Sequence, residues 1–206
     1  MSNFIAIAGN IGVGKTSLSN VLEKRHGWKV YYEPEVHNPY LADFYQDMQR
    51  WAFHSQIFFL TERFKSHLQI QKSKIVCVQD RTIYEDAEIF AENLFQRELM
   101  SERDYESYRS LYKGMAQALK KPALVVYLKA STWTLLSRIR KRGRSYEKNI
   151  DREYLAQLNI NYDHWIRRIS EKWNVMVVDT DDYDMNKDAE WLEGILEEIK
   201  KRLRRS

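Results

Sequence analysis

Five short apolar runs, residues 4–8, 29–33, 75–79, 123–128 and 175–179, alternate with longer stretches in which apolar positions recur at helical spacing. Within each run the apolar character is nearly continuous rather than alternating, as expected for parallel strands covered by helices on both faces. Helices are predicted over 15–25, 41–71 with one break near Arg50, 85–98, 102–120, 132–140, 152–172 and 187–203. Pro34 and Pro122 punctuate strand ends, where a missing N–H does no harm. The pattern predicts an α/β fold with a five-stranded parallel sheet flanked by helices. Right-handed crossovers would put the working site at the C-terminal ends of the strands. A chain of 206 residues without internal repeat or flexible linker fits one domain over 1–206.

Composition removes several classes. Hydrophobic residues make up 44% of the chain against only seven glycines and three prolines, which excludes disordered and low-complexity proteins. The single cysteine, Cys77, lies inside an apolar run and reads as a buried thiol in a reducing compartment. The longest apolar stretches, of about six residues, fall far short of the roughly 20 that span a bilayer. The N-terminus lacks the basic start and longer apolar region of a signal peptide, so the expected location is the cytoplasm, with no membrane partner. The formal charge is +4, but Lys200, Lys201, Arg202, Arg204 and Arg205 carry that excess. A basic end to a helix is ordinarily a solvated, dipole-favoured terminus, so no nucleic-acid partner is expected.

Gly9, Asn10, Ile11, Gly12, Val13, Gly14, Lys15 and Thr16 match G-x-x-x-x-G-K-[ST] directly after a predicted strand and before a predicted helix. Glycines in this phosphate loop (P-loop) let the backbone curl its N–H groups toward phosphate oxygens, at the positive end of the following helix. Lys15 would reach the β- and γ-phosphates, and Thr16 would offer its hydroxyl to Mg²⁺. The motif alone implies only a nucleoside triphosphate. The guanine motif fails, because Asn186-Lys187-Asp188 is followed by Ala189, and neither D-x-x-G nor a glycine-rich LSGGQ-like signature occurs. Phosphoryl transfer from ATP to a small molecule remains.

That chemistry needs a carboxylate near an acceptor hydroxyl, a second group on Mg²⁺, and cations for the transferring phosphoryl. Glu33 closes the second predicted strand, Asp80 and Arg81 follow the third, and Arg138, Arg142 and Arg144 form R-x-x-x-R-G-R. Each alone reads equally well as a solvated surface group; their joint position around the loop points to a kinase. Gln56 interrupts the apolar stretch 51–60, and Arg63 lies seven residues on, on the same helical face. An amide there either reads a base edge or is a satisfied core group. His54 and the neighbouring phenylalanines read as packing.

The chain resembles the deoxynucleoside kinases of the deoxycytidine/deoxyguanosine kinase type, and in particular the bacterial deoxyadenosine and deoxyguanosine kinases. The resemblance rests on the phosphate loop, Tyr31-Tyr32-Glu33-Pro34, Asn38-Pro39-Tyr40, the segment from Trp51 to Gln56, Asp80-Arg81-Thr82-Ile83-Tyr84-Glu85-Asp86, and the segment from Arg138 to Glu147. It implies a P-loop kinase fold with an arginine-rich lid at about 138–150. It makes Glu33 the base for the 5′-hydroxyl proton, positioned with Arg81. Tyr45 and Glu147 would hold the sugar 3′-hydroxyl, Gln56 would read the base, and Arg63 and Asp86 would border it. Arg138, Arg142 and Arg144 would close over the ATP phosphates, and Asp182 and Tyr183 would meet the donor adenine. Thr16 and Asp80 would serve Mg²⁺; many members carry glutamate at the latter position, so Asp80 would hold the ion through a water. A homodimer is implied by resemblance alone. Arg63 and Asp86 favour a purine such as deoxyadenosine or deoxyguanosine, with deoxycytidine also compatible. The competing readings are a nucleoside monophosphate kinase of thymidylate type and a nucleotide-binding regulator without turnover.

Overall fold

β1 (Phe4–Gly9) is buried along its whole length because it has a strand on either side and helices on both faces. The computed structural model describes residues 3–34, 37–147, 150–184 and 187–204; Lys148 and Asn149 of the expected lid, Asn186 and Arg205 lie outside the described residues. Among the described residues, β1 joins β2 (Lys29–Tyr31), β3 (Cys77–Asp80), β4 (Leu124–Lys129) and β5 (Val175–Asp179) in one all-parallel sheet of order β2-β3-β1-β4-β5. The chain crosses from one side of β1 to the other after β3, so a cleft opens at the C-terminal end of β1.

Alternate residues of each strand feed two cores. Phe4, Ala6 and Ala8 join Val125 and Tyr127 beneath α3 (Met48–Lys72), α6 (Glu102–Gln117) and α8 (Arg152–Ile169). Ile5 and Ile7 join Val78 and Val126 beneath α1 (Lys15–His26), α7 (Thr132–Arg142) and α9 (Ala189–Arg204). No helix among the described residues is long and apolar enough to cross a membrane.

Several element bounds differ from the sequence reading. β2 stops at Tyr31, not Glu33, because its last partner is Gln79 and β3 then turns away at Arg81, whose φ is +67°. With no strand beside them, Tyr32 and Glu33 leave the sheet. β3 begins at Cys77, and Ile75 is exposed. At the edge, β5 buries Met176 and Val178 while Val177 is 55% exposed, so it alternates rather than running apolar throughout. The break in the long helix falls at Asp47, between α2 (Leu41–Gln46) and α3, where the carboxylate accepts the Arg50 N–H at 3.1 Å and caps α3. The helix expected over 85–98 is three pieces: α4 (Ile83–Glu85), a π-helical turn at Asp86–Ala91, and α5 (Glu92–Gln96). Apolar spacing does not separate an α-turn from a π-turn, since both bury one face. α6 and α8 stop short, at Gln117 and Ile169, and α7 runs on to Arg142.

His67 of α3 is fully buried against Phe4 and Tyr84, with Nε2 2.9 Å from the Lys120 carbonyl oxygen and Nδ1 without a hydrogen-bond partner. Burial pushes its pKa down to about 4, so the ring is neutral and Nε2–H donates to that carbonyl. The unfolded chain takes up this proton near pH 6.5 and the fold does not. His67 therefore costs no stability above pH 6.5, and stability falls as pH drops from 6.5 toward 4. Denaturant unfolding is expected to show a loss of about 1 kcal/mol per pH unit in that window, a slope that His67→Gln flattens.

Candidate active site

The phosphate loop leaves β1 through residues that only glycine suits. Gly9 has φ +144°, and a Cβ there would lie 2.5 Å from the Leu128 carbonyl oxygen; one on Gly12 would meet Ile139 at 2.7 Å. The loop is also tied to α8: the Asn10 side-chain amide donates to the Leu155 carbonyl at 2.9 Å and to Asn159 Oδ1 at 2.8 Å. Asn10 thus fixes the loop through its side chain, which points away from the cleft. Lys15 is buried with Nζ on the Asn10 carbonyl at 3.0 Å. Burial, with help from Arg81, lowers its pKa to about 8, which leaves it charged at neutral pH.

Across from the loop, Glu33 Oε1 accepts from Arg63 at 2.7 Å and from Arg81 at 3.0 Å. Burial would raise the Glu33 pKa, but Arg81, Arg63 and Lys15 outweigh it and hold the carboxylate at about 2. Arg63 also donates to Asp86 Oδ1 at 2.5 Å, and both side chains are 2% exposed. The α3 helix brings Gln56 and Arg63 here because Ala52, Gln56, Phe59, Arg63 and Ile70 form its buried stripe. Asp80 is 1% exposed; its Oδ2 accepts from the Thr16 hydroxyl at 2.7 Å, and its Oδ1 has no hydrogen-bond partner among the described residues. Burial raises its pKa.

These groups line or back a cavity of about 480 Å³. The loop from Ile11 to Thr16, Glu33, Tyr45, Gln56, Arg81, Asp86 and Glu147 all face it, as do Arg138, Arg142, Arg144 and Tyr183. Arg63 and Asp80 stand directly behind the wall, reaching the cavity through Glu33, Asp86 and Thr16. Gln56 Oε1 and Asp86 Oδ2 are buried acceptors without partners among the described residues. Phe59 and Phe90 add apolar walls and carry the Arg63 and Arg81 guanidinium groups on their faces at 4.7 and 4.2 Å.

The arginines expected to form one lid divide in two. Arg138 donates to the Val13 carbonyl at 3.2 Å, to Thr180 Oγ1 and the Tyr183 carbonyl at 2.9 Å, and to the Thr180 carbonyl. Its guanidinium is committed to tying the loop to the segment after β5, not to open space above the phosphates. Arg142 instead grips both oxygens of Glu147 at 2.7 Å, and Arg144 stands 3.6 Å from the same carboxylate. Tyr45 stacks on Tyr146 beside them. Tyr183 stacks on Trp191 at 4.7 Å, whereas Asp182 is exposed outside the lining and Asp184 lies within it.

Glu85, Tyr154, Tyr162 and Phe90 also shape the site and were not singled out from the sequence. The T-x-x-E spacing of Thr82 and Glu85 marks Glu85; no such spacing marks the three aromatic residues. Among the described residues no group of three or more His, Cys, Asp or Glu side chains is placed to hold a metal by itself. The Thr16 and Asp80 oxygens nevertheless suit Mg²⁺, which keeps waters and phosphate oxygens around one or two protein ligands.

A triphosphate loop, a carboxylate clamped by two arginines and a base-sized cavity with unpaired acceptors make a phosphotransferase site. Comparisons with known proteins agree. The deoxynucleoside kinase family model matches residues 5–204. The Bacillus subtilis deoxyadenosine/deoxycytidine kinase is 38% identical over 96% of this chain and 92% of its own length. The deoxyguanosine kinase of the same organism is 36% identical over 89% and 90%. The structure of the deoxyadenosine kinase from M. mycoides with dCMP and dCDP superposes with a TM-score of 0.85 at 33% identity, covering 96% of this chain and 99% of that one. With the fold, the site and the sequence in accord, this chain belongs to the deoxynucleoside kinase family and is an ATP-dependent kinase.

Proposed function

We propose that the enzyme transfers the γ-phosphoryl of ATP to the 5′-hydroxyl of a purine deoxynucleoside, deoxyadenosine or deoxyguanosine, with deoxycytidine as a further acceptor. The observation that carries this reading is Glu33, a carboxylate held between Arg63 and Arg81 in the same cavity as the phosphate loop. A 5′-hydroxyl needs a proton acceptor, whereas a monophosphate acceptor needs additional cations. Glu33 therefore favours the nucleoside over the monophosphate, and its company with Asp80 and Arg81 favours turnover over a binding-only regulator.

In this mechanism Lys15 leaves the Asn10 carbonyl for the donor phosphates, and Arg81 orients the acceptor hydroxyl toward Glu33. A carboxylate held at about 2 is a weak base. It suffices because phosphoryl transfer passes through a loose transition state in which the alcohol keeps its proton until late; position counts for more than basicity. When Arg142 turns to the phosphates, Glu147 is released to accept the sugar 3′-hydroxyl with Tyr45. Arg144 adds a second cation, and Arg138 holds the loop. Tyr183, rather than the exposed Asp182, meets the donor base. Thr16 and Asp80 would hold Mg²⁺, which when bound neutralises charge on the β- and γ-phosphates. The two unpaired acceptors, Gln56 Oε1 and Asp86 Oδ2, suit a base edge that carries an amino group. The two Bacillus subtilis relatives, a deoxyadenosine/deoxycytidine kinase and a deoxyguanosine kinase, support purine deoxynucleosides with deoxycytidine as a further acceptor. A cytoplasmic homodimer completes the reading.

Four measurements test it. In a panel of the four deoxynucleosides with ATP and Mg²⁺, a purine deoxynucleoside is expected to give the highest kcat/KM; thymidine as best acceptor would overturn the pocket argument. Glu33→Gln should lower kcat by about 10²- to 10⁴-fold with ATP binding kept, read by steady-state kinetics and nucleotide titration. Since Glu33 stays ionised above pH about 4, the wild-type kcat should owe no acid limb between pH 5 and 8 to this group. Asp80→Asn should raise the Mg²⁺ concentration for half-maximal activity about tenfold at fixed ATP; an unchanged midpoint would remove Asp80 from the metal site.

A further inference from the structure

Glu85 is fully buried, lies outside the cavity lining, and divides its two oxygens between two strands. Oε1 accepts the Gly9 N–H at 3.2 Å and lies 2.9 Å from the Tyr162 hydroxyl. Oε2 accepts the Thr82 N–H at 3.0 Å, with Thr82 Oγ1 at 3.4 Å. Gly9 ends β1 and opens the phosphate loop. Thr82 follows the Asp80-Arg81 turn at the end of β3. Arg81 closes the ring: it donates to the Gly9 carbonyl at 3.2 Å and to Glu33 at 3.0 Å, and its Nε stands 3.9 Å from Glu85.

We infer that Glu85 is a positioning residue that locks the start of the phosphate loop to the Asp80-Arg81-Thr82 turn, holding donor and acceptor groups in one fixed relation. Three physical reasons support it. A carboxylate accepts only, so it satisfies N–H and O–H donors from both strands at once. Arg81 sits at φ +67°, a backbone state that persists only where the surroundings hold it, and Glu85 grips the very next N–H. Phosphoryl transfer requires the donor phosphorus and the attacking oxygen in line, and a misplacement of about 1 Å costs on the order of 10²-fold in rate. Glutamine has the same reach but turns an NH₂ toward donors on one strand; aspartate is too short to span both.

The inference rests on the kinase reading above, and the test separates the two. E85Q and E85D would be purified, melted, and assayed with Mg·ATP and the best deoxynucleoside, beside L196A, a core truncation in α9 far from the loop. E85Q and E85D are expected to lower kcat by about 10²-fold and raise the KM for ATP at least fivefold. L196A should lower the melting temperature while leaving the KM for ATP unchanged. If E85Q matches L196A, with reduced stability but wild-type KM and kcat, the positioning role is overturned while the kinase reading stands. Absence of transfer by the wild type would overturn the kinase reading itself. Should both Glu85 variants fail to fold, Y162F carries the test. It keeps the carboxylate and removes the α8 hydroxyl that stands 2.9 Å from both Glu85 Oε1 and the Gly9 carbonyl oxygen, so the KM for ATP should rise about two- to fivefold with the nucleoside KM unchanged. An unchanged KM for ATP in Y162F would overturn the inference.

Discussion

Six charged side chains are buried at the C-terminal end of β1 and a seventh, Glu33, is 15% exposed at the cavity wall; their mutual compensation is the constraint on which the rest of the site depends. Four are carboxylates, Glu33, Asp80, Glu85 and Asp86; three are cations, Lys15, Arg63 and Arg81. Removing any one partner strands a buried charge, at a cost of about 3–5 kcal/mol where the pair is fully enclosed. The set is also one positive charge short of balance, and Asp80 keeps an oxygen without a partner. Under the function proposed above, that imbalance is what a divalent cation beside Asp80 and donor groups on a base beside Asp86 would relieve.

The cluster owes its place to the sheet. Because β1 lies between β3 and β4, the loop after β1 and the turn after β3 emerge side by side, and Arg81 lies within reach of the Gly9 carbonyl. The ordinary ladder places these backbones roughly; the left-handed turn at Arg81, the glycines that accept close backbone approach, and Glu85 refine the placement. Arg138 is bound to three backbone carbonyls and is part of the scaffold, while Arg142 is partly exposed and pairs with the Glu147 carboxylate.

The fold was legible to within a few residues because parallel strands buried on both faces must be apolar, as β1 is throughout and β4 is up to Leu128. The same rule misplaced the end of β2 and, while it gave β5 its bounds, missed the exposure of Val177, since edge strands are limited by which neighbour exists, a fact absent from local composition. The phosphate loop was legible in full: each of its glycines, Lys15 and Thr16 answers a local geometric demand. Gln56 and Arg63 were legible as one helical face, although whether that face met a core or a cavity was not.

By itself, then, the sequence determined the order of the elements, the phosphate loop and the residue types of a kinase, because these follow from short-range spacing and backbone sterics. Tertiary structure alone decided that Arg63 reaches both Glu33 and Asp86, that Arg138 ties while Arg142 pairs with Glu147, and that Glu85 meets Gly9, 76 residues earlier in the chain. Those are contacts between groups distant along the chain, and their energies depend on how deeply each is buried and which charges surround it. Neither burial nor neighbourhood exists until the sheet has brought its strand ends together.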